Sequence, residues 1–481
     1  MKILREYKLF VQRIGILGIT NLLVGVSGII LLPILTKNLS IIDYGTWIQI
    51  NITILLLSIM GNFGLSSTMV RFLAVEKDKT KIQEVFYTII FFVIVSSAII
   101  SFLFFLFSKT IAITLFNGNM SLGILIPLIV FISCLNVIFI NYFRTFQQMK
   151  RFSIFTLLQT YLNIALVSYF IIQGYGLIGA LTGFLITQIL LFSIMSVFIY
   201  TEIGFKIPKL KNLRKFLSFG VPTVPGNLSY WIVDSSDRYV IGLLLGVIFV
   251  GFYSPGYTLG NIINMLSYPF SLMLPAVLAN YYDKGDIIKV ETILNYSFKY
   301  FLVIAIPSTI GLSLLSKPIL LLLSTPEIAS NGYLVTPFVA LGGIFLGSYT
   351  ITSQSIILKK KTKIIGTLWF LTALINLGLN IILVPFLGII GAAATTLGAY
   401  IFAFAINAFY SFKYIKFQID FILLGKSVLA SFLVAVIILI SNPNGVLQIL
   451  FVVGICIIVY FAALLVLGLN KKEIDFLRGL L

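Results

Sequence analysis

Long apolar runs alternate with short polar segments along the whole chain. A run of about 20 apolar residues is long enough to cross the hydrocarbon core of a bilayer as a helix. We place fourteen such runs at about 14–36, 46–70, 85–107, 120–142, 153–172, 176–200, 220–243, 248–281, 297–323, 333–358, 364–386, 388–412, 421–441 and 446–468. The eighth is long enough to be bent. The pattern predicts an all-α integral membrane protein with about 14 transmembrane helices.

The basic residues alternate between the two sides of these runs. Of 33 Lys and Arg residues, 29 fall in the N-terminus, in every second loop with its adjoining span ends, or in the C-terminus. The other loops and span ends hold the remaining four, which are Lys37, Lys109, Arg238 and Lys317. Basic loops stay on the cytoplasmic side. The sequence therefore predicts a multi-pass protein of the cell membrane with both termini in the cytoplasm.

Composition narrows the possible functions. The chain is 59% hydrophobic, has only 10% charged residues and has a mean hydropathy of +1.10. Its net charge of +18 is divided among short clusters between apolar runs, which argues against a nucleic-acid partner. Histidine is absent from the sequence, and Cys134 and Cys456 both lie inside apolar runs. We find no metal-ligand spacing, nucleophile motif or phosphate loop, and we expect neither catalysis nor a cofactor nor a metal.

A faint internal repeat suggests how the spans are grouped. The segment Gly176-Leu-Ile-Gly-Ala180 recurs about 210 residues later as Gly388-Ile-Ile-Gly-Ala392. Parallel repeats related by an axis along the membrane normal are common in transporters. We expect two pseudo-symmetric six-helix lobes around a central cavity, 1–215 and 216–412. Residues 413–481 would add two transmembrane helices and a cytoplasmic tail.

Polar side chains are unevenly distributed among the spans. The first, second, seventh and eighth spans carry Asn21, Gln49, Asn51, Asn62, Asn227, Asn261 and Asn264. Polar groups at membrane depth turn toward a bundle interior or a wet cavity. These four spans are therefore expected to line the cavity, with Asn227 and Asn261 among its binding residues.

The seventh span also contains charged residues. Asp234 and Arg238 are four residues apart, so they share a helix face and can pair, and Asp237 lies beside them. Burying such charges is expensive unless they are paired or hydrated, so they indicate a functional site. The alternative is that Arg238 reaches the outer headgroups and Asp237 caps it. Two further cations, Lys37 and Arg71, are either cavity residues or interfacial anchors.

Several short segments, in a fixed order, resemble a known family. They are Leu35-Thr-Lys-Asn-Leu39, Asp43-Tyr-Gly-Thr-Trp47, Gly220-Val-Pro222, Asp237-Arg238 and Gly251-Phe-Tyr253. With the fourteen-span layout, the chain resembles the polysaccharide-biosynthesis exporters. These are the Wzx-like oligosaccharide flippases of the multidrug/oligosaccharidyl-lipid/polysaccharide (MOP) exporter superfamily.

The resemblance implies a substrate and a mechanism. A polyprenyl-diphosphate-linked oligosaccharide would move from the cytoplasmic to the outer leaflet through a cavity that opens alternately to each face. Arg238, Lys37 and Arg71 would attract the diphosphate. If transport uses an H⁺ or Na⁺ gradient, Asp234 and Asp237 are the candidate carriers. The expected surroundings are membrane lipids, and the expected form is a monomer working alongside glycosyltransferases and a polymerase.

Two other functions stay open from the sequence. A cation-coupled multidrug exporter of the MATE-like family would share the two-lobe plan, although such proteins usually have twelve spans and acidic cavities. A membrane-bound polymerase or ligase for lipid-linked sugars usually needs a large extramembrane loop. The sequence has no loop of that size, so the flippase is the favoured interpretation.

Overall fold

The structure is a computed structural model that describes residues 2–119, 122–416 and 420–467, without the side chains of residues 2–11, 14 and 211. The predicted cytoplasmic tail beyond 467 lies outside these ranges. The described residues form helices and connecting segments, with no β-strand among them.

Twenty α-helices follow one another along the described residues. The first ten are α1 (Lys2–Asn38), α2 (Ile41–Asn62), α3 (Leu65–Leu73), α4 (Lys79–Leu106), α5 (Ser108–Leu115), α6 (Leu122–Thr145), α7 (Met149–Ile172), α8 (Gly176–Ile203), α9 (Leu213–Gly220) and α10 (Val224–Leu244). The others are α11 (Val247–Gly260), α12 (Ile262–Met265), α13 (Tyr268–Asp283), α14 (Ile287–Leu314), α15 (Ser316–Leu323), α16 (Pro326–Gly332), α17 (Val335–Leu358), α18 (Thr362–Tyr414), α19 (Phe421–Ser441) and α20 (Val446–Val466).

The membrane-spanning segments agree with the predicted all-α layout. Twelve helical segments of the described chain are long and apolar enough to cross a membrane, with 247–283 taken as one segment. The 53-residue helix α18 contains a non-helical residue, Gly388 (φ 61°, ψ −145°), where the eleventh predicted span meets the twelfth. The helix α10 carries three charged residues and corresponds to the predicted seventh span. Counting α10 and both parts of α18 gives the fourteen predicted spans.

Some predicted spans consist of more than one helix. The second divides into α2 and α3 because Phe63 and Gly64 both adopt left-handed backbone angles, with φ of 45° and 70°. The eighth, predicted to be bent, is interrupted after Gly260 and again before Tyr268, giving α11, α12 and α13. The ninth divides into α14 and α15. Apolar periodicity identifies the membrane segment, whereas local backbone geometry decides where the helix is broken.

The chain divides into two compact units. The first comprises Met1–Ser254 and Trp369–Ala392. Within it, α7 packs against α1 and α8, and α6 packs against α2, α4 and α8. The lobe boundaries expected from the repeat, 1–215, 216–412 and 413–481, stay a prediction.

The second unit comprises Pro255–Leu368 and Ala393–Leu481. Its core is built on α14, which packs against α17 and α19, while α19 packs against α20. Tyr460 of α20 donates a 2.6 Å hydrogen bond to the carbonyl of Val303 in α14. The two helices α19 and α20 are therefore joined to this unit by packing and by this buried hydrogen bond.

Candidate functional site

The candidate site is centred on α10, whose boundaries follow from local sequence. A 3-10 turn at Val221–Thr223 precedes the helix, and Pro225 stands in its first turn, where a missing amide hydrogen costs nothing. After Leu244 the chain reaches Gly246, whose φ of 104° suits glycine and stops the helix. The Gly246 amide donates to the carbonyl of Ile241 at 3.2 Å.

Asp237 and Arg238 form a buried ion pair in the second half of α10. Arg238 Nη1 lies 3.0 Å from Asp237 Oδ1. Asp237 has no exposed surface, and Arg238 is 8% exposed. The same guanidinium nitrogen donates to the backbone carbonyl of Asp234 one turn earlier. Arg238 is therefore buried with its charge paired to the adjacent Asp237, and it also contacts the main chain of Asp234. The functional role of these residues stays a prediction.

Tyr253 of α11 also contacts this pair. Its hydroxyl donates a hydrogen bond to Asp237 Oδ2, and its ring lies 5.6 Å from the Arg238 guanidinium carbon. A cation over an aromatic face gains electrostatic stabilisation, especially where water is excluded. Asp237 therefore accepts bonds at both carboxylate oxygens, and Arg238 is held against an aromatic wall.

Helix α2 supports the site from another direction. Gln49, which is fully buried, donates a 2.8 Å hydrogen bond from Nε2 to the backbone carbonyl of Arg238. One turn later, Thr53 and the hydroxyl of Tyr239 are 2.5 Å apart. Two turns earlier in α10, the indole of Trp231 donates to the carbonyl of Ile52 at 3.3 Å. These bonds fix about two turns of α10 against α2.

Two glycines allow α2 and α11 to approach closely. A side-chain carbon added at Gly45 would lie 2.2 Å from the carbonyl oxygen of Val247, and one at Gly251 would lie 2.6 Å from that of Ile41. Both obstacles are backbone atoms, so neither can move aside cheaply. Small residues allow such close approaches between membrane helices. This crossing holds α11, and with it Tyr253, in place beside α10.

The other predicted site residues lie in different surroundings. Lys37 is exposed in the last turn of α1, Arg71 is exposed in the last turn of α3, and Asn227 is exposed near the start of α10. Asn261 is half-buried in the second unit, where its Oδ1 accepts from Asn264 Nδ2. Their roles toward a substrate stay predictions.

Sequence reasoning named Asp234, Asp237 and Arg238 but did not assign Gln49 or Tyr253 to the site. Both residues carried a signal, since Gln49 is a polar residue within an apolar run and Tyr253 ends one of the motifs that resemble the family. The chain separates Gln49 from Arg238 by 189 residues, and periodicity alone does not bring them together.

The guanidinium of Arg238 gives this site a group that can bind an anion. A guanidinium is a good partner for phosphate oxygens as well as for a carboxylate. Among residues 2–119, 122–416 and 420–467, no three His, Cys, Asp or Glu side chains form a group that could hold a metal ion.

Curated proteins resemble part of the chain. A probable low-salt glycan biosynthesis flippase, Agl15, of Haloferax volcanii is 23% identical over 217 residues, which is 44% of this chain and 45% of the relative. A probable flippase, AglR, of the same organism is 28% identical over 166 residues, 34% of each chain. The matched segments thus span less than half the length of each relative.

Solved structures resemble the chain over most of its length. The lipid II flippase MurJ in an inward closed conformation has a TM-score of 0.73 at 20% identity, covering 92% of this chain and 97% of the MurJ chain. An inward-facing multidrug resistance MATE family transporter of the MOP superfamily has a TM-score of 0.66 at 17% identity, covering 82% and 94%. These likenesses show that the chain has a MurJ/MATE-type transporter fold.

A family model identifies the chain more specifically. The model described as polysaccharide biosynthesis protein matches residues 10–277, more than half of the sequence, and the match includes α2, α10 and α11. The chain therefore belongs to the polysaccharide biosynthesis protein family.

Proposed function

We propose that the chain is a flippase that moves a polyprenyl-diphosphate-linked oligosaccharide from the cytoplasmic to the outer leaflet of the cell membrane by alternating access. The observation that carries the proposal is the buried Asp237–Arg238 pair, in a chain of the polysaccharide biosynthesis family. Charged residues inside membrane segments are costly and mark transport pathways by default. The two Haloferax relatives, each named a probable flippase, support the same function.

The chemistry of Arg238 fits a diphosphate. In the structure its guanidinium is paired with Asp237, so a substrate phosphate must compete with that carboxylate. Such competition gives two discrete states, one with the ion pair closed and one with Arg238 turned to the substrate. Lys37 and Arg71 are the proposed secondary cations, and Asn227 and Asn261 are the proposed partners for sugar hydroxyls.

We assign different roles to the two aspartates. Asp237 is fully buried and accepts hydrogen bonds from Arg238 and Tyr253, so its proposed role is to hold the guanidinium. Asp234 is half-buried and contributes its main-chain carbonyl to Arg238. Its more accessible carboxylate is the proposed carrier of a coupling H⁺ or Na⁺.

The charge pattern and the proposed function together suggest an orientation in the membrane and a set of partner enzymes. Both termini would be cytoplasmic, because the basic loops lie on that side. Glycosyltransferases would supply the lipid-linked oligosaccharide on the cytoplasmic face, and a polymerase would use it outside. The protein is proposed to act as a monomer within the plasma membrane.

A cation-coupled drug exporter is the second candidate, and the MATE likeness favours it. That likeness is at 17% identity and concerns the fold alone. The family match over 10–277 favours a sugar-bearing substrate, and the guanidinium of Arg238 suits an anionic group on it.

Reconstitution in liposomes distinguishes a flippase from a drug exporter. A polyprenyl-diphosphate oligosaccharide with a dithionite-sensitive fluorophore on its sugar would be incorporated, and quenching by external dithionite would be followed. The flippase proposal expects protein-dependent quenching beyond the fraction initially in the outer leaflet, and no gradient-driven efflux of a cationic dye. Dye efflux without movement of the glycolipid would establish the drug exporter instead.

A further inference from the structure

A groove separate from α10 lies where α1, α7 and α8 meet. Its volume is about 750 Å³. The lining residues are Gln12, Arg13, Ile16, Gln147, Gln148, Met149, Lys150, Arg151, Phe198, Thr201 and Glu202. All of them belong to the first unit, and none belongs to the proposed substrate site.

The groove lies at one end of three membrane spans. The apolar part of α1 begins at Gly15, α7 begins at Met149, and α8 ends at Ile203. The polar lining residues are just outside these limits or in the terminal turns, which is the depth of lipid headgroups. The charge pattern places this end on the cytoplasmic side, where anionic lipids are concentrated.

The charge of the groove is positive, with three cations and one carboxylate. Arg151 Nη1 lies 2.5 Å from Glu202 Oε2, and the Arg151 guanidinium carbon lies 5.9 Å from the centre of the Phe198 ring. Glu202 also accepts a 2.7 Å hydrogen bond from Gln148. The single carboxylate is thus already engaged, and it fixes Arg151 in the wall of the groove.

The other two cations make no ion pair with a carboxylate among the described residues. Arg13 donates a 2.5 Å hydrogen bond to the side-chain oxygen of Gln147, which orients the guanidinium without neutralising it. Within the described part of the chain, Lys150 has no carboxylate partner. Two cations without a carboxylate partner in the described ranges therefore face a groove at headgroup depth, and Gln147 already holds one of them, Arg13, in position.

We propose that this groove binds the headgroup of an anionic phospholipid of the cytoplasmic leaflet. Arg13 and Lys150 contact the phosphate, and Ile16, Met149 and Phe198 contact the upper part of the acyl chains. Because Arg13 belongs to α1 and Lys150 to α7, the bound lipid joins the first helix to the α7–α8 pair. The site is independent of the flippase proposal and would exist in a drug exporter of the same fold.

Native mass spectrometry of the delipidated full-length protein with defined lipids tests the proposal, because it measures how tightly each lipid binds. Phosphatidylglycerol is expected to bind more tightly than phosphatidylcholine, and inorganic phosphate alone is expected to compete weakly. Since a basic residue near the surface contributes about fivefold in affinity for anionic lipid, Arg13→Gln together with Lys150→Gln should weaken phosphatidylglycerol binding about twenty-five-fold. Lys109→Gln together with Lys317→Gln, at span ends predicted to be outside, is the matched control and should have no such effect.

A second variant should change the affinity for phosphatidylglycerol in the opposite direction. Glu202→Gln removes the one carboxylate and releases Arg151, while its side-chain oxygen can still accept from Gln148. It should tighten phosphatidylglycerol binding by about fivefold. Equal binding of the two lipids, equal losses in the test and control pairs, or weaker binding by Glu202→Gln would each overturn the proposal. Melting temperatures of all variants would show that they are folded.

Discussion

The side chain of Gln49 donates a 2.8 Å hydrogen bond to the backbone carbonyl of Arg238. In a regular helix this carbonyl accepts from the amide of residue 242, which is a glycine here. A side-chain carbon added at Gly242 would lie 2.0 Å from Gln49 Nε2. The glycine therefore provides the space through which α2 reaches the main chain of the buried ion pair.

Gly242→Ala should destabilise the protein because it displaces Gln49 from a buried hydrogen bond. A lost buried hydrogen bond and local overpacking each cost about 1–3 kcal/mol. Gly226→Ala in the same helix is the matched control, since its added carbon would meet no atom within 4 Å. Thermal unfolding in detergent should show a lower melting temperature for Gly242→Ala than for the control. Equal melting temperatures would show that Gln49 does not stabilise α10.

The sequence predicted the membrane segments better than the individual helices. Apolar runs set the fourteen spans because each must satisfy its backbone in a bilayer, and that requirement is local. Breaks within spans depend on single backbone angles, as at Phe63 and Gly64. Hydropathy does not record those angles.

Asp234→Asn should reduce transport driven by an ion gradient while leaving substrate affinity nearly unchanged. The substitution removes a titratable carboxylate but keeps the main-chain carbonyl that Arg238 uses. Flipping rates in liposomes with and without an H⁺ or Na⁺ gradient would be compared with equilibrium binding of the same glycolipid. Equal losses of driven transport and binding would assign Asp234 to the substrate rather than to coupling.

The sequence predicted the charged residues of the site but not all of their contacts. Spacing places Asp234 and Arg238 on one helix face, and in the structure Arg238 donates to the Asp234 carbonyl and also pairs with the adjacent Asp237. Tyr253 orients this pair through a contact between α10 and α11, which depends on how closely α2 packs at Gly45 and Gly251. Helical periodicity describes one helix and contains no information about such crossings.

Asp420, just before α19, should make stability depend on pH. The Leu423 amide, and then Lys299 at 3.0 Å, stabilise the carboxylate and lower the pKa of Asp420 in the folded protein. A lowered folded pKa means that this stabilisation is present above the unfolded value of about 3.9 and is lost as pH falls through the folded value.

The matched variant is Asp420→Asn, which can still cap the helix but lacks the charge. The wild type should melt at a higher temperature than this variant at pH 7, and the difference should close as pH falls below about 3.9. A difference in melting temperature that is unchanged down to pH 3 would show that the Asp420 charge is not its source.

The most direct test of the central claim measures glycolipid flipping by variants of the Asp237–Arg238 pair. Arg238→Ala should reduce dithionite quenching to the protein-free level. Arg238→Ala leaves the Asp237 carboxylate buried without its partner, and an unpaired buried charge can cost about 3–5 kcal/mol of stability. The double variant Asp237→Asn with Arg238→Gln removes both charges, so its flipping can be measured on a folded protein. Lys109→Gln serves as the control and should flip at the wild-type rate. The account predicts no flipping by the double variant at an unchanged melting temperature, whereas wild-type flipping by that variant would contradict it.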